Sequence, residues 1–202
     1  VTTTYDIMVD IDDVIVPWFD TVDAGCRAAW GDHFPVCSNW HMWEHYGVTQ
    51  QEWADVVIQA VQTGLYHTTD PIPGSVEAIN RMRWFGHRIH IVTARGFMAN
   101  GDNIRQWTPE YLERFGIGYD TLLFAKDKFN AQFELAVTFD LAIDDGYHNY
   151  QRLDGGGVEV WLHTAPHNQH LSVERRVGSL WDFSTMVLER AGNELSSLEP
   201  TG

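Results

Sequence analysis

Apolar residues along the chain fall into two textures: short unbroken runs, and stripes recurring every three or four positions. The runs are Ile7–Val9, His87–Val92, Thr121–Phe124, Phe139–Ile143 and Val158–Leu162. They are short and rich in β-branched or aromatic residues, so they read as buried strands. Between them lie helical stripes. Pro17 opens one with Phe19, Val22, Cys26 and Ala29, and Val76, Ile79 and Met82 form a second that stops at Gly86. Thr108-Pro109-Glu110 reads as a helix start with proline in the first turn, ending at Gly116. Phe129, Phe133 and Ala136 mark a further helix, and Trp181–Arg190 another. Thr49 and Glu52 have the spacing of a capping box, Val48 and Trp53 that of a hydrophobic staple, and Gly64 is placed to end that helix.

Strands alternating with helices imply an α/β fold, a doubly wound parallel sheet with helices on both faces. Residues 1–16 and 73–190 form the core in this reading. Residues 17–72 form a small helical cap inserted after the first strand, and 191–202 a flexible tail. Asp70-Pro71-Ile72-Pro73-Gly74 is the seam where the insert rejoins the core. In such a sheet the carboxyl ends of the strands share one edge, where ligands bind. Asp10, Asp12, Thr93, Lys126 or Lys128, Asp144 and Asp145 all follow predicted strand ends, so they can converge from distant parts of the chain.

Composition narrows the partners. The 202 residues, 44% hydrophobic, suffice for one sizeable core and a small insert. The formal net charge of -15, from 28 acidic and 13 basic residues, disfavours long nucleic acids and anionic membranes. No long apolar segment suits a bilayer, and the first residues lack a charged leader followed by an apolar core. Two cysteines, Cys26 and Cys37, are too few for a disulfide framework and fit a reducing cytoplasm.

Carboxylates crowded at one edge repel each other, and a hard divalent cation relieves this. Asp10 and Asp144 are candidate direct ligands of magnesium, with Asp145 helping directly or through water and Asp12 offering its backbone carbonyl. Thr93 supplies a hydroxyl beside backbone amides, including that of Ala94. A lysine at a helix start supplies a compact charge, which together make a cradle for one phosphate. An aspartate can then act as nucleophile and a second carboxyl group as acid and base.

Asp10-Ile11-Asp12-Asp13-Val14, Val92-Thr93-Ala94-Arg95, Lys128 and Ile143-Asp144-Asp145 resemble the four ordered motifs of haloacid dehalogenase-like phosphohydrolases. The resemblance runs from about Tyr5 to His170. It implies Asp10 as nucleophile, Asp12 as acid/base, Thr93 and Lys128 as phosphate ligands, and Asp10, Asp12 and Asp144 around magnesium. Lys126 competes for the lysine role, but Lys128 follows Asp127 and opens the Phe129 helix, which matches the family's placement better. Asp13 stands where the family commonly has glycine, so a less tight turn after Asp12 is expected. Arg95 can contact phosphate or pair with a nearby acid.

The insert, Pro71-Ile72-Pro73-Gly74, the doubled Asp144-Asp145 and Pro166-His167-Asn168 are similar to the 5'(3')-deoxyribonucleotidase branch. That similarity implies a nucleoside monophosphate substrate, with Trp18 and either Trp40 or Trp43 stacking the base. The aromatics can equally pack the insert's helices together. Rival readings keep the chemistry on a sugar phosphate or a nucleic-acid terminal phosphate, or keep only nucleotide binding. A homodimer is left open. His41, His45, His163, His167 and His170 read as ordinary surface or pocket histidines, because Pro166 breaks the helical spacing between His163 and His167.

Overall fold

A computed structural model of the chain describes residues 3–97 and 101–192. Six parallel strands form one sheet: β1 (Asp6–Val9), β2 (Arg88–Thr93), β3 (Thr121–Phe124), β4 (Leu141–Asp144), β5 (Glu159–His163) and β6 (Arg176–Val177). Their order is β3-β2-β1-β4-β5-β6, so the chain winds outward from β1 in both directions. Eight helices accompany them among the described residues: α1 (Trp18–Trp30), α2 (Met42–Tyr46), α3 (Gln50–Gln62), α4 (Ser75–Trp84), α5 (Gly101–Arg114), α6 (Ala131–Leu135), α7 (Tyr147–Gly155) and α8 (Leu180–Arg190).

Side chains alternate across the sheet with the two-residue period of a strand. Ile7, Val9, Ile89, Ile91, Leu141 and Ile143 pack with α4, α5 and α8 through Ile79, Met82, Leu112 and Phe183. Met8, Val92, Ala142, Val160 and Leu162 pack with α6 and α7 through Ala131, Tyr150 and Leu153. Burial on both faces is why the strands are unbroken apolar runs in sequence.

A third apolar cluster is built by the segment between β1 and α4. Phe19, Val22, Cys26, Met42, Tyr46, Val57 and Val61 join α1, α2 and α3, and Ile104 and Trp107 of α5 pack against them. Gly25 lets α1 and α3 approach closely, since a Cβ there would lie 3.2 Å from Val56 Cγ1. Helix α3 starts as its sequence predicts. Thr49 Oγ1 accepts the Glu52 amide, and Glu52 Oε2 accepts the Thr49 amide at 2.8 Å. The two ends of this segment meet at the core, where the Ile72 amide donates to the Ile15 carbonyl at 2.7 Å.

Two helices differ from the sequence pattern. Helix α5 is already running at Gly101, and Pro109 lies inside it rather than at its start. Proline cannot donate to the preceding turn, but Ile104, Thr108, Tyr111 and Leu112 are all buried at helical spacing, and that burial carries the helix through. The Thr108 hydroxyl donates to the Ile104 carbonyl at 2.7 Å. The Phe129–Phe133–Ala136 stripe is not a buried face. Phe129 precedes α6 and covers Gly156, where a Cβ would lie 2.0 Å from the ring. Phe133 is 73% exposed, and Ala136 ends α6 in the left-handed region. Helix α7 and the two-residue β6 have no counterpart in the sequence reading. Of the tail read as loose, residues 193–202 lie outside the described residues.

Candidate active site

β1, β2 and β4 all end at one rim of the sheet, and the first polar residue after each apolar run projects there. The Asp10 amide continues the ladder by donating to the Ile143 carbonyl at 3.1 Å, while Asp10 Oδ1 accepts from the Ile11 amide at 2.7 Å. Lys128 Nζ lies 2.6 Å from Asp10 Oδ2 and 2.7 Å from Asp144 Oδ2. Asp144 Oδ1 accepts from the Gly146 amide and Asn149 Nδ2 at 2.8 and 2.9 Å. Asp10, Lys128, Asp144 and Asp145 are all at least 95% buried. Carboxylate oxygens of Asp10, Asp144 and Asp145 lie within 4.8 Å of one another.

Burial pushes the Asp10 carboxyl well above the ordinary carboxylate range, and Asp144, Asp145 and Asp12 push the same way against the opposing charge of Lys128. Burial also acts to lower Lys128, but Asp10 and Asp144 outweigh it, so the ammonium is held charged. Five carboxylates (Asp10, Asp12, Asp13, Asp144 and Asp145) thus share the rim with two cations, Lys128 and Arg95. The Asp10, Asp144 and Asp145 donors are all oxygen, which fits a hard divalent cation such as magnesium better than a thiophilic one.

Asp12 sits beside this cluster and is held differently. Arg95 Nε donates to both its oxygens at 3.0 and 3.1 Å, and Arg95 Nη2 to Oδ1 at 2.6 Å. The Arg95 guanidinium is fully buried and stacks 4.2 Å over the Tyr66 ring. Of the two roles open to Arg95, pairing with an acid is the contact seen. Asp13 occupies the left-handed region with φ 55, so the turn stays tight without the expected glycine. Its Oδ1 accepts the Phe19 amide at 2.8 Å, which compensates the strained backbone and caps the first turn of α1. Burial and the nearby Asp145 push Asp13 well above the usual range.

A cavity of about 280 Å³ opens from the acids toward the inserted helices. Trp18, Trp40, Trp43, Trp53 and Phe19 form its apolar side, and Asp10, Asp12, Asp145, Ala94 and Lys128 its polar end. Trp18 Nε1 donates to the Tyr66 hydroxyl at 3.0 Å, fixing that ring. Trp43 meets Trp53 at 5.3 Å, and Trp40 is 51% exposed. Thr93 is wholly buried, its hydroxyl accepting the Arg95 amide at 3.2 Å. Lys126 is exposed at the mouth, 5.2 Å above the Phe97 ring, so Lys128 is the lysine among the acids. In the sequence Trp53 reads only as a staple partner and His167 as a surface or pocket histidine within the Pro166-His167-Asn168 motif, while Tyr66 and Asn149 carry no reading. Tyr66 carries no local signal, since its contact crosses 48 positions to a partner that only the fold aligns, and Asn149 sits in the first turn of α7, a helix absent from the sequence reading.

Comparison with known proteins fits this geometry. Residues 4–192 match the family described as 5' nucleotidase, deoxy (pyrimidine), cytosolic type C protein. The chain belongs to that family. It is therefore a phosphomonoester hydrolase of the haloacid dehalogenase-like superfamily, in the 5'(3')-deoxyribonucleotidase branch. A Bacillus cereus protein with a provisional nucleotidase name is 26% identical over 133 residues, 65% of this chain and 69% of that one. A provisionally named 5'(3')-deoxyribonucleotidase of Chlorobaculum tepidum is 28% identical over 160 residues, 77% of this chain and 75% of that one. Among solved structures, a provisionally named haloacid dehalogenase-like hydrolase from Bacteroides fragilis superposes with a TM-score of 0.62 at 12% identity, covering 90% of this chain and all of that one. D,D-heptose 1,7-bisphosphate phosphatase from Burkholderia thailandensis superposes at 0.55 with 16% identity, covering 92% and 99%. These two show the shared fold. No helix among the described residues is long and apolar enough to cross a membrane.

Proposed function

We propose that this nucleotidase-family chain is a magnesium-dependent 5'-nucleotidase that hydrolyses nucleoside monophosphates, deoxyribonucleotides above all, through a phosphoaspartate at Asp10. The observation that carries the reading is the union of two halves in one cavity. Buried acids gripping a lysine form one end, and a wall of tryptophans the other. A phosphate fits the first and a flat base the second. The name of the Chlorobaculum tepidum relative supports the deoxyribonucleotide preference.

Asp10, Asp144 and Asp145 would hold the cation, with Asp12 contributing its backbone carbonyl. When bound, magnesium neutralises the phosphate and the acids, so that an anionic nucleophile can approach an anionic substrate. Lys128 orients Asp10 and, with Thr93 and the Ala94 amide, receives the phosphoryl oxygens. An Asp10 oxygen forms the new bond to phosphorus as the bond to the ester oxygen breaks, and Asp12, having taken a proton from solvent once an Arg95 bond is released, gives that oxygen the proton. Asp12 then takes a proton from water as the water oxygen bonds to phosphorus and the phosphorus–Asp10 bond breaks, freeing inorganic phosphate and the Asp10 carboxylate. Because Arg95 holds both Asp12 oxygens, proton transfer at Asp12 requires one of those bonds to be released. Trp18, Trp40 and Trp43 hold the base. The free thiols of Cys26 and Cys37 support a cytoplasmic setting.

The test is release of inorganic phosphate from a panel of ribo- and deoxyribonucleoside 5'- and 3'-monophosphates and sugar phosphates. It is run with magnesium and then with a chelator. Deoxyribonucleoside monophosphates should lead the panel, and activity should vanish on chelation and return with magnesium. A sugar phosphate turned over faster than every nucleotide, or activity that survives chelation, overturns the proposal.

A further inference from the structure

The function proposed above makes no use of His167 or of the turn that carries it. Pro166–Asn168 is one 3-10 turn beyond β5, and both His167 and Asn168 are buried. Asn168 is saturated. Its Nδ2 donates to the Asp145 and His163 carbonyls, each at 2.8 Å, and its Oδ1 accepts from the Ala165 amide and Arg176 Nη1 at 3.1 and 2.9 Å. The turn is therefore tied to the backbone of Asp145 and to the last strand. It carries no freedom of its own.

From this fixed base the His167 ring reaches two parts of the site. Nε2 lies 3.4 Å from the Asp145 carbonyl oxygen, its hydrogen-bond partner, and 3.1 Å from Asp145 Oδ2. The ring centroid is 4.8 Å from that of Trp40 at 72° and 5.2 Å from that of Phe19. Trp40 lines both the catalytic cavity and a second cavity of about 560 Å³, and His167 forms part of the second cavity's wall. Trp40 is half exposed and precedes α2, and His167 is the nearer of its two edge-to-face ring contacts, His148 lying at 6.2 Å. The tautomer follows from the partners. A proton on Nε2 faces the Asp145 carbonyl and its nearby carboxylate, whereas a proton on Nδ1 alone would leave a buried donor unpaired and set lone pairs against each other.

We propose that His167 is a positioning residue serving both ends of the cavity. Its Nε2, hydrogen-bonded to the Asp145 carbonyl and lying beside its carboxylate, fixes Asp145 toward the cation, and its ring is the stop against which Trp40 rests to meet a base. An N–H from outside that orients a ligating carboxylate is the usual way such ligands are fixed, and its loss weakens metal binding by ten- to a hundredfold in general. The Trp40 half rests on the nucleotide reading, whereas the Asp145 half stands without it.

Two substitutions separate the halves. His167→Phe keeps a ring against Trp40 but removes the donor, and His167→Gln keeps a donor but removes the ring. Direct Mn2+ binding, followed by electron paramagnetic resonance without substrate, should weaken about tenfold in His167→Phe and stay within about threefold of the parent in His167→Gln. KM for the best monophosphate at saturating magnesium should rise about fivefold in His167→Gln and stay near the parent value in His167→Phe. If His167→Phe does not fold, His167→Leu carries the metal arm. Parent-like Mn2+ binding in the donor-less variant overturns the Asp145 role. An unchanged KM in His167→Gln overturns the Trp40 role. If no monophosphate is turned over by the parent chain, the nucleotide reading and with it the Trp40 half fall, while the Mn2+ arm still decides the Asp145 half.

Discussion

The two ends of the cavity are built on different physics. At the sheet rim, Asp10, Asp144 and Lys128 are locked by backbone amides and short charged hydrogen bonds, and their positions follow from strand register. At the inserted helices, Trp18 and Trp43 each meet Trp53 through ring contacts of 6.4 and 5.3 Å, and Trp40 remains half exposed. Charged networks in a buried setting tolerate little displacement, whereas aromatic faces accept a flat partner with some latitude. Chemistry is assigned to the stiff end and selection to the yielding one. The rim should therefore govern turnover and metal binding, and the tryptophans the apparent affinity.

The largest break should come at the rim. Asp10→Asn should lower kcat by at least about a thousandfold, because the proposed nucleophile is gone. Its melting temperature should stay at or above that of the parent, since the change removes a buried charge that burial disfavours. Phosphate release with a thermal melt reads both, and a variant retaining a tenth of the activity would remove Asp10 from the chemistry.

Next in size is the partner. Lys128→Met leaves Asp10 and Asp144 facing each other without a cation, and breaking such a buried set destabilises by about 3 kcal/mol. Denaturant unfolding should show the loss without divalent ions and a partial recovery in excess magnesium. Absence of recovery would mean that no ion replaces the ammonium between these acids.

At the other end, Trp43→Ala should raise KM about tenfold, from the stacking of one base, with kcat nearly unchanged. A fall in kcat with KM constant would erase the distinction between the two ends.

The smallest effect lies away from both. His87 is buried at the far edge of β2, its Nδ1 accepting the Tyr5 amide at 3.2 Å, and burial pulls its pKa below the ordinary 6.5. A depressed folded pKa means that the unfolded chain binds the proton more readily. This contribution to stability is whole above pH 6.5 and is lost as pH falls below it. His87→Asn should flatten the fall in melting temperature between pH 7 and 5 relative to the parent. An identical slope would assign the acid sensitivity elsewhere.

The contrast also explains what the sequence shows on its face. The rim acids are legible because each interrupts a strand buried on both sides, so a carboxylate there has no packing reason to exist. Thr49 and Glu52 are legible because their partners are three residues apart. His167 is not, because its contact to Asp145 exists only once β4 and β5 lie side by side. At Pro109 a local signal is outweighed by the burial of Ile104, Tyr111 and Leu112. Asp13 hides for the opposite reason: its side chain repairs the turn that glycine would otherwise serve.

The bond from Ile72 to Ile15 has a wider consequence. The excursion from the first strand leaves and returns at neighbouring points, so its entry and exit form a single doorway in the scaffold. Whatever is threaded through that doorway can lengthen, shrink or be exchanged without altering the order of the strands or the spacing of the acids. A chassis of this kind can keep one reaction while trading the room in which the reactant is received.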